Sequence, residues 1–362
     1  MRRWTKITIA LLLSLLVSLP AGSAWAGGSK THVVRPGESI QAAIDAARPG
    51  DTILVKPGVY TEALAITTDN LTLKGSRGTV LVPPASADNA CTRLFGPVFG
   101  PSVDGICVLG EINLETFEVI DPVERPHISG FVVKGFTGSG IFAVGTEDLR
   151  ATHNWTKENT GYGTFAILST RPVLAYNKAS GNGDAGLYVG SNQQVDAKVF
   201  GNSSWDNPIG IFLRDVSHGT AERNHVFGNC SGILLLAGAP GPVTEWKIRR
   251  NLVRANNKTD CGEEDPVPSG MGILLLGAAD NDISRNLVLG NRGEGMEGLG
   301  GGIVLVTGGE PGGPQFEPSG NTVRKNVAFR NRPFDISWDG TGSGVVFKGN
   351  RCATSQPGGL CD

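Results

Sequence analysis

Residues 202–213 read NSSWDNPIGIFL, and residues 224–235 read NHVFGNCSGILL. Each stretch has two Asn separated by four residues, then a Gly that opens a short apolar run. The Asn pair recurs at Asn154/Asn159, Asn177/Asn182, Asn202/Asn207, Asn224/Asn229, Asn251/Asn256, Asn286/Asn291 and Asn326/Asn331, with Gly130/Gly135 in the same spacing upstream and Asn350 beginning one more. The first Asn returns after 23, 25, 22, 27, 35, 40 and 24 residues. A period near 23 with occasional insertions is the signature of a solenoid.

Each period holds three short strands. One is the Gly-Ile-x-Leu run, one ends at the first Asn, and one lies between the paired Asn. Three residues before the first Asn stand Leu174, Val199, Ile248, Ile283 and Val323, and two after it stand Ala179, Val226, Val253 and Val288. Inward positions of stacked strands must be apolar or small in this way. Asn at a tight bend tolerates left-handed dihedrals. With coils about 4.8 Å apart, its amide can also bond the next amide along. Asn154, Asn202 and Asn229 lie in Asn-x-Ser/Thr contexts but read as ladder residues, not glycan acceptors. Upstream, Glu38 to Arg48 places Ile40, Ala43, Ile44 and Ala47 on one helical face, and Pro49-Gly50 ends it. Such a helix would cover the open end of the solenoid. The expected fold is therefore all-β: a single right-handed parallel β-helix of about ten coils with an N-terminal capping helix.

Composition agrees. The 362 residues include 52 Gly, 21 Pro and 22 Asn, which disfavours a helical bundle. Gly has no three-residue period, so the chain is not collagen-like. Residues 1–26 read as a secretory signal: Arg2, Arg3 and Lys6, an apolar run from Ile7 to Leu19, then Ala24-Trp25-Ala26. The β-helix domain is assigned to 27–362, with a loop insertion at about 85–127 and long corner loops at about 257–271 and 292–301. Without the leader, 29 basic residues face 34 acidic ones, a balance of −5. That argues against nucleic acid as a partner, and no later segment suggests stable membrane insertion. A secreted monomer, extracellular or periplasmic, is expected. In that setting the six Cys read as disulfides. Spacing favours Cys91 with Cys107, Cys230 with Cys261 and Cys352 with Cys361.

The stretch PGESIQAAIDAARPGDTILVKPGVYTE (36–62), followed by Asn-rich coils with Gly-Ile-x-Leu strands, resembles secreted right-handed parallel β-helix proteins of the pectin-lyase-like superfamily. The resemblance covers about 31–350. It implies a fold shared with pectate and pectin lyases, polygalacturonases, alginate lyases and epimerases, and non-catalytic members. It also implies that any substrate groove lies on the outer face of the Gly-Ile sheet.

Alternation along that strand gives two outward columns. One is read as Phe142, Ala166, Tyr188, Phe212, Leu234, Leu274 and Val304. The other is Val144, Leu168, Gly190, Arg214, Leu236, Leu276 and Val306. Phe142, Tyr188 and Phe212 are candidate sugar-binding residues, because aromatic faces suit sugar C–H surfaces. Asp184, Asp206, Arg214, Asp215 and His218 gather nearby in sequence and are the catalytic candidates. Paired carboxylates suit glycoside hydrolysis. Arg214 suits a uronate, with Asp residues able to hold Ca2+. Glu263, Glu264, Asp265, Glu294 and Glu297 read as loop charges. The residue sets that mark polygalacturonases are absent. Asp121 to His127 has the ingredients, in the wrong spacing, of an epimerase-like aspartate-proline-histidine motif. Two functions follow: a secreted protein that binds and cleaves polysaccharide as a lyase or hydrolase, or a non-catalytic solenoid that binds polysaccharide or cell-envelope glycan.

Overall fold

The computed structural model describes residues 28–99, 102–238, 241–261, 268–293, 300–309 and 314–362. The leader at 1–26, the acids Glu263, Glu264, Asp265, Glu294 and Glu297, and parts of both expected corner loops lie outside the described residues. Each coil lays its strands parallel to those of the coils before and after it, as where Leu187 pairs with Ile211 and Ile211 with Ile233. The Gly-Ile strands form one sheet of eleven, from Leu64–Ile66 to Ser355–Gln356. The other two strands of each coil join in a 21-stranded sheet. Ile211, Leu213, Ile233, Leu235, Ile273 and Leu275 fill the interior between them.

The Asn pairs form two continuous ladders. Asn251 is typical: its Oδ1 accepts the backbone N–H of Asn224 at 2.9 Å and the Asn224 side-chain amide at 3.0 Å. Its Nδ2 donates to Ala221 O at 2.9 Å and to Asn286 Oδ1 at 3.0 Å. A shorter third ladder, missed in the sequence, runs from Trp246 N through Asn281 to Asn321. The second ladder ends at Asp335, whose Oδ1 accepts both N–H groups of Asn331 and whose Oδ2 accepts Ala353 and Thr354 N–H. Asn154, Asn202 and Asn229 are buried, which seals them from glycan attachment.

The left-handed residue at each bend is not the Asn, as expected, but the residue before it. Tyr176, Gly201 and Arg223 precede a first Asn, and Gly181, Asp206 and Gly228 a second, with φ of 57, 64, 57, 63, 58 and 65°. The bend thus needs one residue for the turn and another for its hydrogen bonds. The ladder also explains the strand-opening Gly: a Cβ on Gly210 would lie 2.9 Å from Asn229 Nδ2 and 2.6 Å from Gly232 O.

The capping helix α1 is shorter than expected, Ile40–Asp45, yet Ile40 and Ile44 are buried and Ala43 and Ala47 pack on the same core. Ser39 caps it, and the Glu62 carboxylate takes the N–H groups of Ile40 and Gln41. Gln41 closes the first edge of the Gly-Ile sheet, exchanging hydrogen bonds with Ala65 N and O at 2.8 and 3.1 Å. The disulfides are Cys91–Cys107, Cys230–Cys261 and Cys352–Cys361, the pairing that spacing favours. The segment at 85–127 is not all insertion. Helix α2 spans Ala90–Phe99, but Ile106–Leu109 takes its place in the Gly-Ile sheet between Leu64–Ile66 and Ile141–Val144. A hairpin of Glu111–Ile112 and Val119–Asp121 follows.

Two stability predictions follow from the packing. Asn251→Ala strips the buried Asn224 N–H of its partner, breaks the amide bonds to Ala221 O and Asn286 Oδ1, and should cost about 3 kcal/mol, read as a fall in the urea midpoint. Asn251→Asp should not restore it, because a carboxylate cannot donate. Among the described residues, Thr164 Oγ1 is the one buried side-chain polar atom without a hydrogen-bond partner. Thr164→Val should therefore hold or gain about 1 kcal/mol in thermal unfolding.

Candidate functional site

Thr164 also moves one coil. It fills the inward place that Ile holds elsewhere, paired with Ile141 on one side and Leu187 on the other. Phe165, not Ala166, therefore stands between Phe142 and Tyr188, and Ile167, not Leu168, between Val144 and Gly190. Ala166 is fully buried inside. Counting from the first apolar residue instead of from Gly163 slips the register by one.

The corrected column is an unbroken aromatic row. Phe142 and Phe165 stack at 5.2 Å, Phe165 and Tyr188 at 4.4 Å, and Phe212 meets Tyr188 edge-on at 5.3 Å. Tyr162, at the corner before the strand, packs on Phe165 at 4.5 Å and Tyr188 at 5.1 Å. Gly190 lets Tyr188 lie across it: a Cβ there would sit 2.3 Å from the Tyr188 hydroxyl. Stacking consumes ring faces. Tyr188 is only 4% exposed and Phe212 only 6%, whereas Phe142 and Tyr162 are half-buried. Farther along, Leu234, Leu274 and Val304 are buried, and Leu236 and Leu276 half-buried.

Helix α2 and the hairpin make the row the floor of a cleft of about 550 Å3. The Cys91–Cys107 bond ties α2 to the sheet, and Phe95 meets Phe142 edge-on at 5.3 Å. Ile112, Leu114 and Phe117 of the hairpin form the facing wall. Polar groups gather where the strands enter: Ser102, Asp104, Thr137, Ser139 and Thr160. Asp104 Oδ1 accepts the Ser139 N–H at 2.6 Å. Burial pushes its carboxyl up to about 6, against that hydrogen bond.

The five ionisable candidates do not form one constellation. Asp184 is half-buried against the Tyr162 hydroxyl, and burial with this carboxylate pushes the Tyr162 phenol up. Burial likewise raises Tyr188 to about 12, with Arg214 near enough to oppose it. Arg214 and Asp184 thus flank the two tyrosines. Asp215 sits beside Arg214, Oδ2 to Nε 3.3 Å, but is 1% exposed and takes the Gly238 N–H at 2.7 Å. Burial raises its carboxyl, Arg214 notwithstanding. Asp206, its side chain 63% exposed, pairs with Lys258 at 3.2 Å. His218 lies at a different corner, paired with Glu245 at 3.0 Å. Asp206, Asp215 and His218 all have left-handed φ, of 58, 51 and 64°. Asp and His are enriched in that region, so bend geometry accounts for these residue types. Asp121 and His127 also part: Asp121 is exposed on the hairpin, and His127 meets Thr152 Oγ1. Among the described residues no three His, Cys, Asp or Glu side chains converge as a metal would require. No described helix is long and apolar enough to cross a membrane.

Sequence reasoning missed Asp104, Tyr162, Phe165 and the walls from Phe95 and Phe117. Correct register would have found Phe165; Tyr162, two residues before the inward Thr164 and ahead of the strand, breaks the alternation.

A family profile described as right-handed β-helix region matches residues 139–318. No curated protein matches the chain in sequence. Solved structures share its fold. The A-module of a mannuronan C-5 epimerase, AlgE4, from Azotobacter vinelandii is 16% identical, with 88% of this chain and 91% of that chain covered and a TM-score of 0.54. A DFA-IIIase from Arthrobacter chlorophenolicus A6 is 15% identical over 87% and 79%, with a TM-score of 0.60. A periplasmic alginate epimerase, AlgG, is 14% identical over 88% and 84%, with a TM-score of 0.56. The chain has the fold of a right-handed parallel β-helix.

The raised carboxyl of Asp104 has a signed consequence. The native state holds this proton more tightly than the unfolded chain, so the contribution is fully present below about pH 4 and lost as pH rises through about 6. Asp104→Asn keeps the acceptor and removes the titration. Its melting temperature relative to the parent should rise between pH 4 and 7 and then level off. A pH-independent difference would place the carboxylate in open solvent.

Proposed function

We propose that this protein binds a polysaccharide chain along the outer face of the Gly-Ile sheet, at the cleft floored by Phe142, Phe165 and Tyr188. The observation that carries this reading is that cleft: a concave site of about 550 Å3 on one sheet, aromatic along its floor and polar at one side. The solved epimerases that share the fold are named for mannuronan and alginate, which supports the same class of ligand. Three disulfides support a site of action outside the cytoplasm, extracellular or periplasmic.

Of the five ionisable candidates, this reading retains Asp184 and Arg214. Arg214 is partly exposed at the far side of the tyrosines, where its guanidinium can pair with a uronate carboxylate. Asp206, Asp215 and His218 serve the bends and loops that hold the face. Cleavage is a second reading. It draws on one observation, that Asp184 and the Tyr162 hydroxyl meet beside the cleft and could carry a proton between them.

Affinity electrophoresis against acidic and neutral polysaccharides tests the binding. Arg214→Glu should weaken an acidic ligand about tenfold and leave a neutral one unchanged. Phe142→Ala should weaken both. Silence across the whole panel sinks the proposal. New reducing ends, or the ultraviolet absorbance of a new double bond, would show cleavage. Asp184→Asn should then abolish the chemistry while binding persists.

A further inference from the structure

The cleft is not uniform. Its lining divides into a polar group where the strands enter, Asp104, Ser139, Thr137 and Thr160, and an apolar floor and walls, Phe142, Phe165, Ile167, Phe95, Ile112 and Leu114. An unsubstituted sugar carries hydroxyls around its whole rim. Each one pushed among the apolar walls would lose water and find no partner, at about 1–3 kcal/mol apiece. The ring faces that sugars usually meet are already turned on one another, Phe142 against Phe165 and Phe165 against Tyr188. The apolar side is therefore poorly matched to a bare glycan and well matched to a hydrocarbon or aryl group.

The two apolar walls flank the strand Ile106–Leu109, helix α2 before it and the hairpin after it. One is anchored by Cys91–Cys107. The other ends in Phe117, which has a left-handed φ of 57° and is 59% exposed. Large apolar residues held open at the mouth of a concave site mark a ligand surface more often than an ordinary loop.

We propose that the cleft receives an apolar substituent, aryl or acyl, carried by a sugar whose hydroxyls stay at the Asp104–Ser139 side. The inference builds on the glycan reading above, and names the class of glycan: one bearing an aromatic or fatty group, or the head of a glycolipid. The wall residues supply area for the substituent, and the polar side supplies the few directed bonds that orient the sugar.

Isothermal titration of the whole chain with methyl, phenyl and n-octyl β-D-glucopyranoside tests it, the last kept below its micellar concentration. The phenyl or octyl glycoside should bind at least about tenfold more tightly than the methyl glycoside, with a more negative heat-capacity change. A gain for phenyl alone points to aryl substituents, and a gain for octyl to acyl chains. Phe117→Ser and Leu114→Ser lie at exposed positions, so folding should survive, as a thermal melt will show. Both should shrink the gain and leave the weaker methyl glycoside unchanged. Equal affinity for all three glycosides, or a gain untouched by both substitutions, overturns the proposal. Its failure is separable from that of the glycan reading. Polysaccharide binding without an aryl or octyl gain removes only the substituent site. A gain without polysaccharide binding removes only the extended groove.

Discussion

The side-chain amide of each interior Asn lies between two coils and works in both directions. Its oxygen takes the N–H groups of the coil before, and its nitrogen reaches back to a carbonyl of that coil and forward to the next Asn. A chain that bends every few residues leaves many backbone groups unpaired, and burying them unpaired would cost more than the fold can sustain. The ladders remove that cost at the same corner of each successive coil. Much else follows from them. The left-handed residue must precede the Asn, the next strand must open with Gly because the amide leaves no room for a Cβ, and length can be added only where no ladder passes.

That dependence explains which parts of the fold were legible. The Asn pairs and the Gly opener are enforced by contact with neighbouring coils, so they recur in sequence and give period, strand order and inward columns. Gly163-Thr164-Phe165 shows where the signal thins. There the inward residue is polar, hydrophobicity no longer marks it, and the register slipped by one until pairing with Ile141 and Leu187 fixed it. Helix α2 and the hairpin were illegible for a different reason. They belong to no repeat, and their places are set by one disulfide and by side chains meeting across the cleft.

The site was half legible for related reasons. Phe142, Tyr188 and Phe212 lie on the expected outward column, Phe165 completes it once the register is right, and Tyr162 joins from the corner before the strand, where alternation gives no signal. The ionisable residues read two ways because two demands favour the same residue types. Asp and His serve acid–base chemistry, and they also tolerate left-handed dihedrals at a bend. Asp206, Asp215 and His218 meet the second demand. Asp184 and Arg214 are absent from those bends, and both face the tyrosines.

Asp335 gives the molecule a sense of direction. A rung made of Asn can pass the pattern on, because it both accepts and donates. A carboxylate only accepts, and this one is already filled by N–H groups from Asn331, Ala353 and Thr354. Nothing remains to hand to a further rung. A stack of parallel strands is otherwise a template for unlimited growth, by another coil or by another molecule laid end to end. One change of side chain, from amide to acid, ends this ladder one coil before the last strand of the Gly-Ile sheet, while Gln41 closes the opposite edge of that sheet.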